Sequence, residues 1–158
     1  MKKYTFFWGG SFSNWFPSYF TYKGHKFRNS EQAFMWEKAN VFGDTVTAEQ
    51  ILRTPDAKES KKLGRAVKNF SEEVWEKHRF ECMYDVCLAK FTQNAHLQKM
   101  LLEQDNYVEA SPYDKVWGIG MHANDPGVED PANWKGLNLL GQVLDNVRTA
   151  IMTAERNK

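Results

Sequence analysis

Two acidic residues have surroundings that suit acid–base or electrostatic catalysis, and Glu31 is the first of them. It lies in the first turn of a helix predicted to begin at Ser30, where the helix dipole favours the carboxylate form. Met35 and Lys38 follow at helical spacing, so they share one face with Glu31. A carboxylate there would act as a general base or stabilise a cationic transition state. A surface Glu that only complements the helix dipole has the same spacing.

The second acidic candidate is Asp114, in the segment Ser111–Gly118, which contains aromatic residues and carries no helical pattern. Asp is also a common turn residue, so this position alone is a weak indication of function. Two carboxylates in differently polarised settings nevertheless fit cleavage of a glycosidic bond. One would stabilise oxocarbenium character, and the other would move a proton or orient water.

A run of basic residues provides a third candidate feature. Its members lie at helical spacing on one predicted face: Lys58, Lys61, Lys62, Arg65 and Lys68. A solvated helix face is the simplest interpretation. The alternative is a phosphate or pyrophosphate site in which Arg65, beside Gly64, is the bidentate donor.

The 158 residues predict a single domain over 1–158, and their composition excludes several classes of protein. Lys and Arg number 21 against 20 Asp and Glu, which leaves a net charge of +1. This balance argues against a chain-wide basic field for nucleic acid and against an acidic tail. The chain has 11 Phe, 6 Trp and 6 Tyr, and such rings both fill cores and wall ligand pockets.

The cysteines and the N-terminus predict a cytoplasmic protein. Cys82 and Cys87 are five residues apart on one predicted helix and therefore point to different faces, which favours two reduced thiols. The apolar run near the N-terminus is too short for a signal peptide, and no stretch is long enough to span a membrane. We expect no membrane association.

The local patterns predict a mainly α fold with a minor β component. Capping signals and apolar spacing predict helices over Ser30–Phe42, from Thr47 to about Arg53, from Thr54-Pro55 onward, over 72–92, and over Asn94–Gln104 and Leu137–Met152. Short strands are predicted at Thr5–Trp8, Tyr19–Tyr22, Lys26–Arg28 and Tyr107–Ala110, the middle two forming a hairpin with Gly24 at positive φ.

The segment Ser111–Lys135 is predicted to be irregular, and irregular segments of this length are usually functional when they are ordered. Its aromatic residues argue against disorder. Elsewhere the common catalytic motifs are missing from the sequence. The histidines and cysteines lack zinc-site spacing, there is no phosphate-binding loop motif, and Gly118-Ile119-Gly120 lacks the third glycine of a dinucleotide fingerprint.

The order of the motifs resembles the NADAR family, also called the YbiA-like family. The resemblance extends from about residue 6 to 150 and rests on motifs in the same order: Phe12–Pro17, Gly24–Gln32, Trp36–Ala39, Leu63–Arg65, Ala89–Asn94, Glu109–Gly120, Trp134–Asn138 and Leu140-Gly141. It implies a compact single-domain YbiA-like helical fold with short strands.

The resemblance also implies a metal-free, cofactor-free N-glycosidase. Members of the family cleave phosphorylated ribosylamino-pyrimidines of the riboflavin pathway or remove ADP-ribose from modified guanine. The expected partner is therefore a small phosphorylated riboside or an ADP-ribosylated nucleobase, and nucleic acid is expected only as a modified substrate. The alternative is a non-catalytic ADP-ribose or nucleotide-binding module. The oligomeric state is left open.

By match to the family motifs, the catalytic residues are expected to be Glu31, Asp114 and Lys38. The expected substrate-binding residues are Asn14, Trp36, Arg65, Lys90, Trp117, Gly118 and Asn138. Two departures stand out. Gln32 replaces a histidine found in some relatives, and Leu137–Gly141 lacks two basic residues found in others, so phosphate recognition would fall to Lys135 or to the Lys58–Lys68 run.

Overall fold

The structure, a computed structural model, describes residues 2–158. The chain forms two compact units: residues 14–95, and residues 2–13 together with 96–158. Each unit is described by itself. The prediction of one domain over 1–158 stays a prediction.

The unit of residues 14–95 begins with the predicted hairpin. In this hairpin β2, Phe20–Tyr22, pairs antiparallel with β3, His25–Phe27. Strand β1, Thr5–Phe7, belongs to the other unit. Lys23 and Gly24 both have positive φ, of 49° and 82°, which is the backbone of a type I′ hairpin turn. The hairpin buries one face of aromatic rings and leaves Thr21 and Lys26 exposed on the other.

Helix α1, Ser30–Val41, begins where the sequence predicts. The Asn29 side chain accepts a hydrogen bond from the Gln32 backbone N–H at 2.8 Å. Gln32 does not complete a capping box with Asn29, because its side-chain oxygen accepts from the Arg28 N–H instead of the Asn29 N–H. The helix ends before Gly43, whose φ of 69° requires the left-handed region.

The next two helices begin at residues other than those predicted. Helix α2, Thr45–Leu52, is capped by Asp44 rather than Thr47, because the Asp44 carboxylate accepts from both the Thr47 N–H and its hydroxyl. Helix α3, Ala57–Arg65, is capped by Asp56, so Pro55 precedes the helix instead of opening it. In both cases a carboxylate provides a stronger cap than the predicted hydroxyl.

Helix α4, Glu72–Thr92, is the longest helix of residues 2–158, and Ser71 caps it as predicted. Trp75 and Phe91 lie in the core. Cys82 and Cys87 are buried free thiols, which agrees with the expectation that they do not pair.

The other unit is built on a two-stranded parallel sheet. Strand β1 pairs with β4, Tyr107–Glu109, after helix α5, Ala95–Glu103. Helix α6, Leu139–Arg156, packs against β4. It begins two residues later than predicted, because Asn138 takes a left-handed backbone conformation with φ of 53°.

The long segment after β4 is irregular, as predicted, apart from the short 3-10 helix Pro131–Asn133. Another short 3-10 helix, Gly10–Phe12, follows β1. Apolar side chains of this segment and of β4 form one core cluster: Val108, Ala110, Ile119, Met121 and Val128. The mainly α fold with a minor β component is therefore confirmed. Within residues 2–158, no helix combines the length and apolar character needed to cross a bilayer.

Candidate functional site

Glu31 is buried in the first turn of α1, with 8% of its surface exposed. The interpretation of Glu31 as an ordinary surface residue is therefore wrong. Its backbone N–H donates to the Asn14 carbonyl oxygen at 3.0 Å, which ties Asn14 to the start of the helix. The N-terminal end of a helix favours negative charge, so this position suits a carboxylate that has little access to water.

Asn14 presents a buried acceptor beside this helix start. Its side chain is about nine-tenths buried, and its Oδ1 has no hydrogen-bond partner among residues 2–158. Buried amide oxygens are normally satisfied, so an orphaned one marks a place where a ligand donor would be stabilised. The Ser30 hydroxyl beside it is likewise buried and has no hydrogen-bond partner among residues 2–158.

Lys38 lies two turns along the same helix in a partly apolar setting. Its Nζ is 4.7 Å from the centre of the Phe70 ring and 5.8 Å from that of Trp75. Burial lowers the pKa of Lys38, Glu72 and Glu31 oppose this shift, and Arg65 adds to it. The structure therefore brings Lys38 within electrostatic reach of both Glu31 and Arg65.

Arg65 ends helix α3 and is exposed to solvent. The adjoining Gly64 allows α3 to approach α1, because any side chain there would overlap Met35. Of the predicted basic run, Lys58 and Lys62 are exposed on the same helix. Lys68 lies beyond the helix end, so its predicted place on that face is wrong.

Lys90 is the most buried charged residue among the candidates, with 1% of its surface exposed. Burial lowers its pKa to about 8, and its Nζ lies 5.0 Å from the centre of the Phe91 ring. The same surroundings raise the pKa of the Cys87 thiol to about 12, which makes it a poor nucleophile. The sequence indicated Lys90 only by family position and contained no signal for its burial.

In the other unit, Asp114 organises its own loop. Its Oδ1 accepts from the backbone N–H groups of Val116 at 2.9 Å and Trp117 at 2.8 Å. The Ser111 hydroxyl accepts in turn from the Asp114 N–H at 3.2 Å. Asp114 therefore does the work of a turn residue, and its half-buried carboxylate keeps a second oxygen for other partners.

Gly118 and Asn138 hold the same loop to β4. A Cβ at Gly118 would lie 2.9 Å from the carbonyl oxygens of both Glu109 and Asp114, so only glycine fits. The Asn138 amide donates to the Tyr107 carbonyl and accepts from the Glu109 N–H, both at 3.0 Å. Both ends of this amide are therefore used in supporting the strand.

Four tryptophans, two of them expected to bind substrate, have different surroundings. Trp36 packs against Phe27 in the hairpin core, and the Trp134 indole N–H donates to the Val128 carbonyl at 2.7 Å. Both rings therefore have a structural task. Trp117 is half-buried and Trp15 is 47% exposed.

The structure thus brings together Asn14, Glu31, Lys38 and Arg65 in one unit, and Asp114, Trp117, Gly118 and Asn138 in the other. Phe70 and Glu72, which surround Lys38, were missed from the sequence because they come from a different part of the chain. Residues 2–158 contain no group of three His, Cys, Asp or Glu side chains arranged to hold a metal ion.

Comparison with known proteins decides the family. The NADAR domain model matches residues 6–152. This chain belongs to the NADAR family. The resemblance seen in the sequence motifs is therefore confirmed.

Two NADAR relatives align along nearly the whole chain. The N-glycosidase of Acanthamoeba polyphaga mimivirus is 41% identical over 92% of this chain and 95% of its own length. Protein irg-1 of Caenorhabditis elegans is 39% identical over 93% of this chain and 78% of its own length. The riboflavin biosynthesis protein PYRR of Zea mays is 30% identical over 90% of this chain, which spans only 23% of that larger protein.

The fold of this NADAR chain also has a solved counterpart. The E. coli protein YbiA superposes with a TM-score of 0.79 and 25% sequence identity. The superposition covers 98% of this chain and 88% of YbiA. The YbiA-like architecture expected from the motifs is confirmed.

Proposed function

We propose that this NADAR chain is an N-glycosidase that hydrolyses the N-glycosidic bond of a phosphorylated riboside. The observation that carries the proposal is the group around α1, where half-buried Lys38 lies within electrostatic reach of both buried Glu31 and exposed Arg65. The mimiviral relative named an N-glycosidase supports the reaction class. The riboflavin-pathway names of other relatives support a small-molecule substrate.

Glu31 is assigned to the anomeric carbon. Breaking a C–N glycosidic bond leaves positive charge on the sugar, and a carboxylate with little access to water stabilises that charge more strongly than an exposed one. The same carboxylate is placed to accept a proton from an attacking water. The orphaned Oδ1 of Asn14 is assigned to a sugar hydroxyl or a base N–H donor.

Lys38 offers a second route to the same product. Its lowered pKa increases the fraction of neutral amine, the form that attacks carbon. In this route Nζ forms a bond to the anomeric carbon as the bond to the base nitrogen breaks, and the proton passes to the leaving base. The resulting glycosylamine opens to an imine as the bond between the anomeric carbon and the ring oxygen breaks and the Nζ proton passes to that oxygen. Water then hydrolyses the imine, which releases the sugar and restores the amine.

Asp114 lies in the other unit and keeps the role expected from its match to the family motifs, proton exchange with the leaving nitrogen or with the sugar. One of its oxygens holds the backbone of the loop, which fixes the orientation of the carboxylate. Half-burial next to Trp117 suits a group that works beside a flat base. Arg65 is assigned to the phosphate, since its planar guanidinium binds phosphate bidentately and lies exposed.

The deciding experiment assays the purified protein on two substrates: a ribosylamino-pyrimidine phosphate and ADP-ribosylated guanine. We expect release of free base from one of them and loss of that activity in Glu31→Gln. Survival of both substrates would contradict the proposal. Tight ADP-ribose binding in calorimetry without any product would instead establish the non-catalytic binding module.

Borohydride trapping separates the two catalytic routes. Reduction during turnover leaves a sugar covalently attached to the protein only if a lysine forms an imine, and loss of the adduct in Lys38→Arg would assign that imine to Lys38. Lys38→Arg keeps the positive charge but supplies no neutral amine, so it removes both the adduct and the activity in the lysine route. Full activity of Lys38→Arg would leave water, activated by Glu31, as the nucleophile.

A further inference from the structure

The exposed face of the hairpin carries a shallow hollow that the proposed glycosidase does not use. Its volume is about 500 Å³, which lies within the range of small-molecule sites. It is lined by aromatic, basic and polar side chains from β2, β3 and the residue after α4: Tyr19, Phe20, Thr21, Lys26, Phe27, Arg28 and Gln93. None of these residues belongs to the set proposed for catalysis.

The backbone around the hollow is held firmly. The Gln93 amide accepts from the Thr21 N–H at 2.8 Å and donates to the Thr21 carbonyl at 2.7 Å, which pairs the open edge of β2. Asn94 donates to the Tyr19 carbonyl at 3.1 Å, and the Ser18 N–H donates to the Arg28 carbonyl at 2.9 Å. A floor fixed in this way loses little conformational entropy when a ligand binds.

The hollow has an unbalanced positive charge. Lys26 and Arg28 are exposed, and neither forms an ion pair with any residue in the described part of the chain, 2–158. No carboxylate lines the hollow. Two uncompensated cations over an apolar floor favour an anionic ligand with a hydrophobic portion.

Tyr19 provides the flat surface that such a ligand would need. Its side chain is 67% exposed, although it is a large aromatic residue at the rim of the hollow. The Arg28 guanidinium lies 5.8 Å from the centre of the Tyr19 ring, so the stacking surface and the planar phosphate donor are adjacent.

We infer that this hairpin hollow binds a nucleoside phosphate unit. The base stacks on Tyr19, and the phosphate is held by Arg28 and Lys26. Stacking combined with basic side chains is the usual chemistry for this class of ligand, and it does not depend on base sequence. The unit can come from a free nucleotide or from a single strand of nucleic acid.

Fluorescence polarisation with a short fluorescein-labelled oligothymidine tests the inference, and competition with free thymidine monophosphate identifies the source of the unit. We expect Lys26→Ala with Arg28→Ala to weaken oligothymidine binding by at least about tenfold, and Tyr19→Ala by about fivefold. The matched control is Lys77→Ala, an exposed lysine on α4 that is remote in sequence from the hairpin and should leave binding unchanged.

Competition at similar concentrations of nucleotide and strand would assign the hollow to free nucleotides, whereas weak competition would assign it to a strand. Wild-type affinity in the double variant would overturn the inference, as would an equal loss in Lys77→Ala. Base release from the small riboside should be unchanged in the double variant. Failure of the glycosidase assay would therefore leave this binding result standing, and the reverse also holds.

Discussion

The candidate polar residues of the two units differ in their surroundings. In residues 14–95, Glu31 and Lys90 are charged groups withdrawn from water, and Lys38 is half withdrawn. In the loop after β4, Asp114 and Asn138 bind backbone N–H and carbonyl groups at hydrogen-bond distance.

This difference distinguishes residues suited to catalysis from residues that support the fold. Burial of an ionisable group carries a desolvation cost, and strongly buried ionisable groups are often found at functional sites. A side chain that satisfies the backbone contributes directly to stability, and its removal disturbs the fold first. The strongest catalytic candidates are therefore on α1, and the loop residues position what lies near them.

The largest expected effect comes from Glu31→Gln, which keeps the shape of the side chain and removes its charge. We expect kcat/KM on the accepted riboside to fall by about 10³-fold, because a catalytic carboxylate contributes roughly 10²–10⁴-fold. The unfolding midpoint should change little. Full activity in a folded Glu31→Gln variant would remove Glu31 from the catalytic set.

Lys90→Met tests the cost of the buried charge. The pKa of Lys90 is about 8 in the folded protein against 10.5 ordinarily, so between these pH values the unfolded chain binds more protons than the folded one. The Lys90 contribution to the free energy of unfolding should therefore rise as pH increases from 8 to 10.5, by an amount on the order of 3 kcal/mol. The raised pKa values of the buried Cys82 and Cys87 thiols act in the opposite direction, so the Lys90 contribution is the difference between wild type and Lys90→Met. Lys90→Met should lose this rise, and Lys77→Met should keep it. Urea unfolding across this pH range measures both, and parallel curves for wild type and Lys90→Met would contradict the burial argument.

Asn138→Ala tests the architectural role. The substitution removes two hydrogen bonds to β4 and places a Cβ-bearing residue without a polar side chain at a φ of 53°. We expect a loss of about 2–3 kcal/mol in urea unfolding. Asn138→Gly relieves the backbone strain without restoring the hydrogen bonds, so its free energy of unfolding should lie between those of wild type and Asn138→Ala. An unchanged midpoint with a raised KM would show that Asn138 serves the substrate instead.

The smallest effect is expected for Asp114→Asn. Asparagine keeps the oxygen that accepts from Val116 and Trp117, so the loop should remain intact while the charge is lost. We expect kcat to fall by about tenfold, which is less than the roughly 10²–10⁴-fold effect of a full general acid or base. Asp114→Ala should lower the unfolding midpoint as well. If Asn restores the full rate and only Ala is defective, Asp114 is a purely structural residue.

Much of the local structure could be predicted because it depends on neighbours in the sequence. The hairpin turn at Lys23-Gly24 and the cap of α1 at Asn29 both follow from residues within four positions of each other. The starts of α2 and α3 were misplaced where two capping residues competed. Asp44 caps α2 because its carboxylate also accepts from the Lys68 N–H. This partner is 24 residues away and is not part of any local sequence pattern.

The sequence by itself determined the family, the mainly α composition and the identity of the candidate residues, because ordered motifs and helical periodicity are properties of the linear chain. Only the tertiary structure decided which candidate side chains are buried away from solvent. The spacing around Glu31 fitted either a catalytic or a surface residue, and Glu31 is buried, while Asp114 and Asn138, which the family motifs place among the site residues, hydrogen-bond to the backbone. The physical reason is that burial and electrostatic coupling depend on packing between distant segments, as when Arg65 on α3 lowers the pKa of Lys38 on α1.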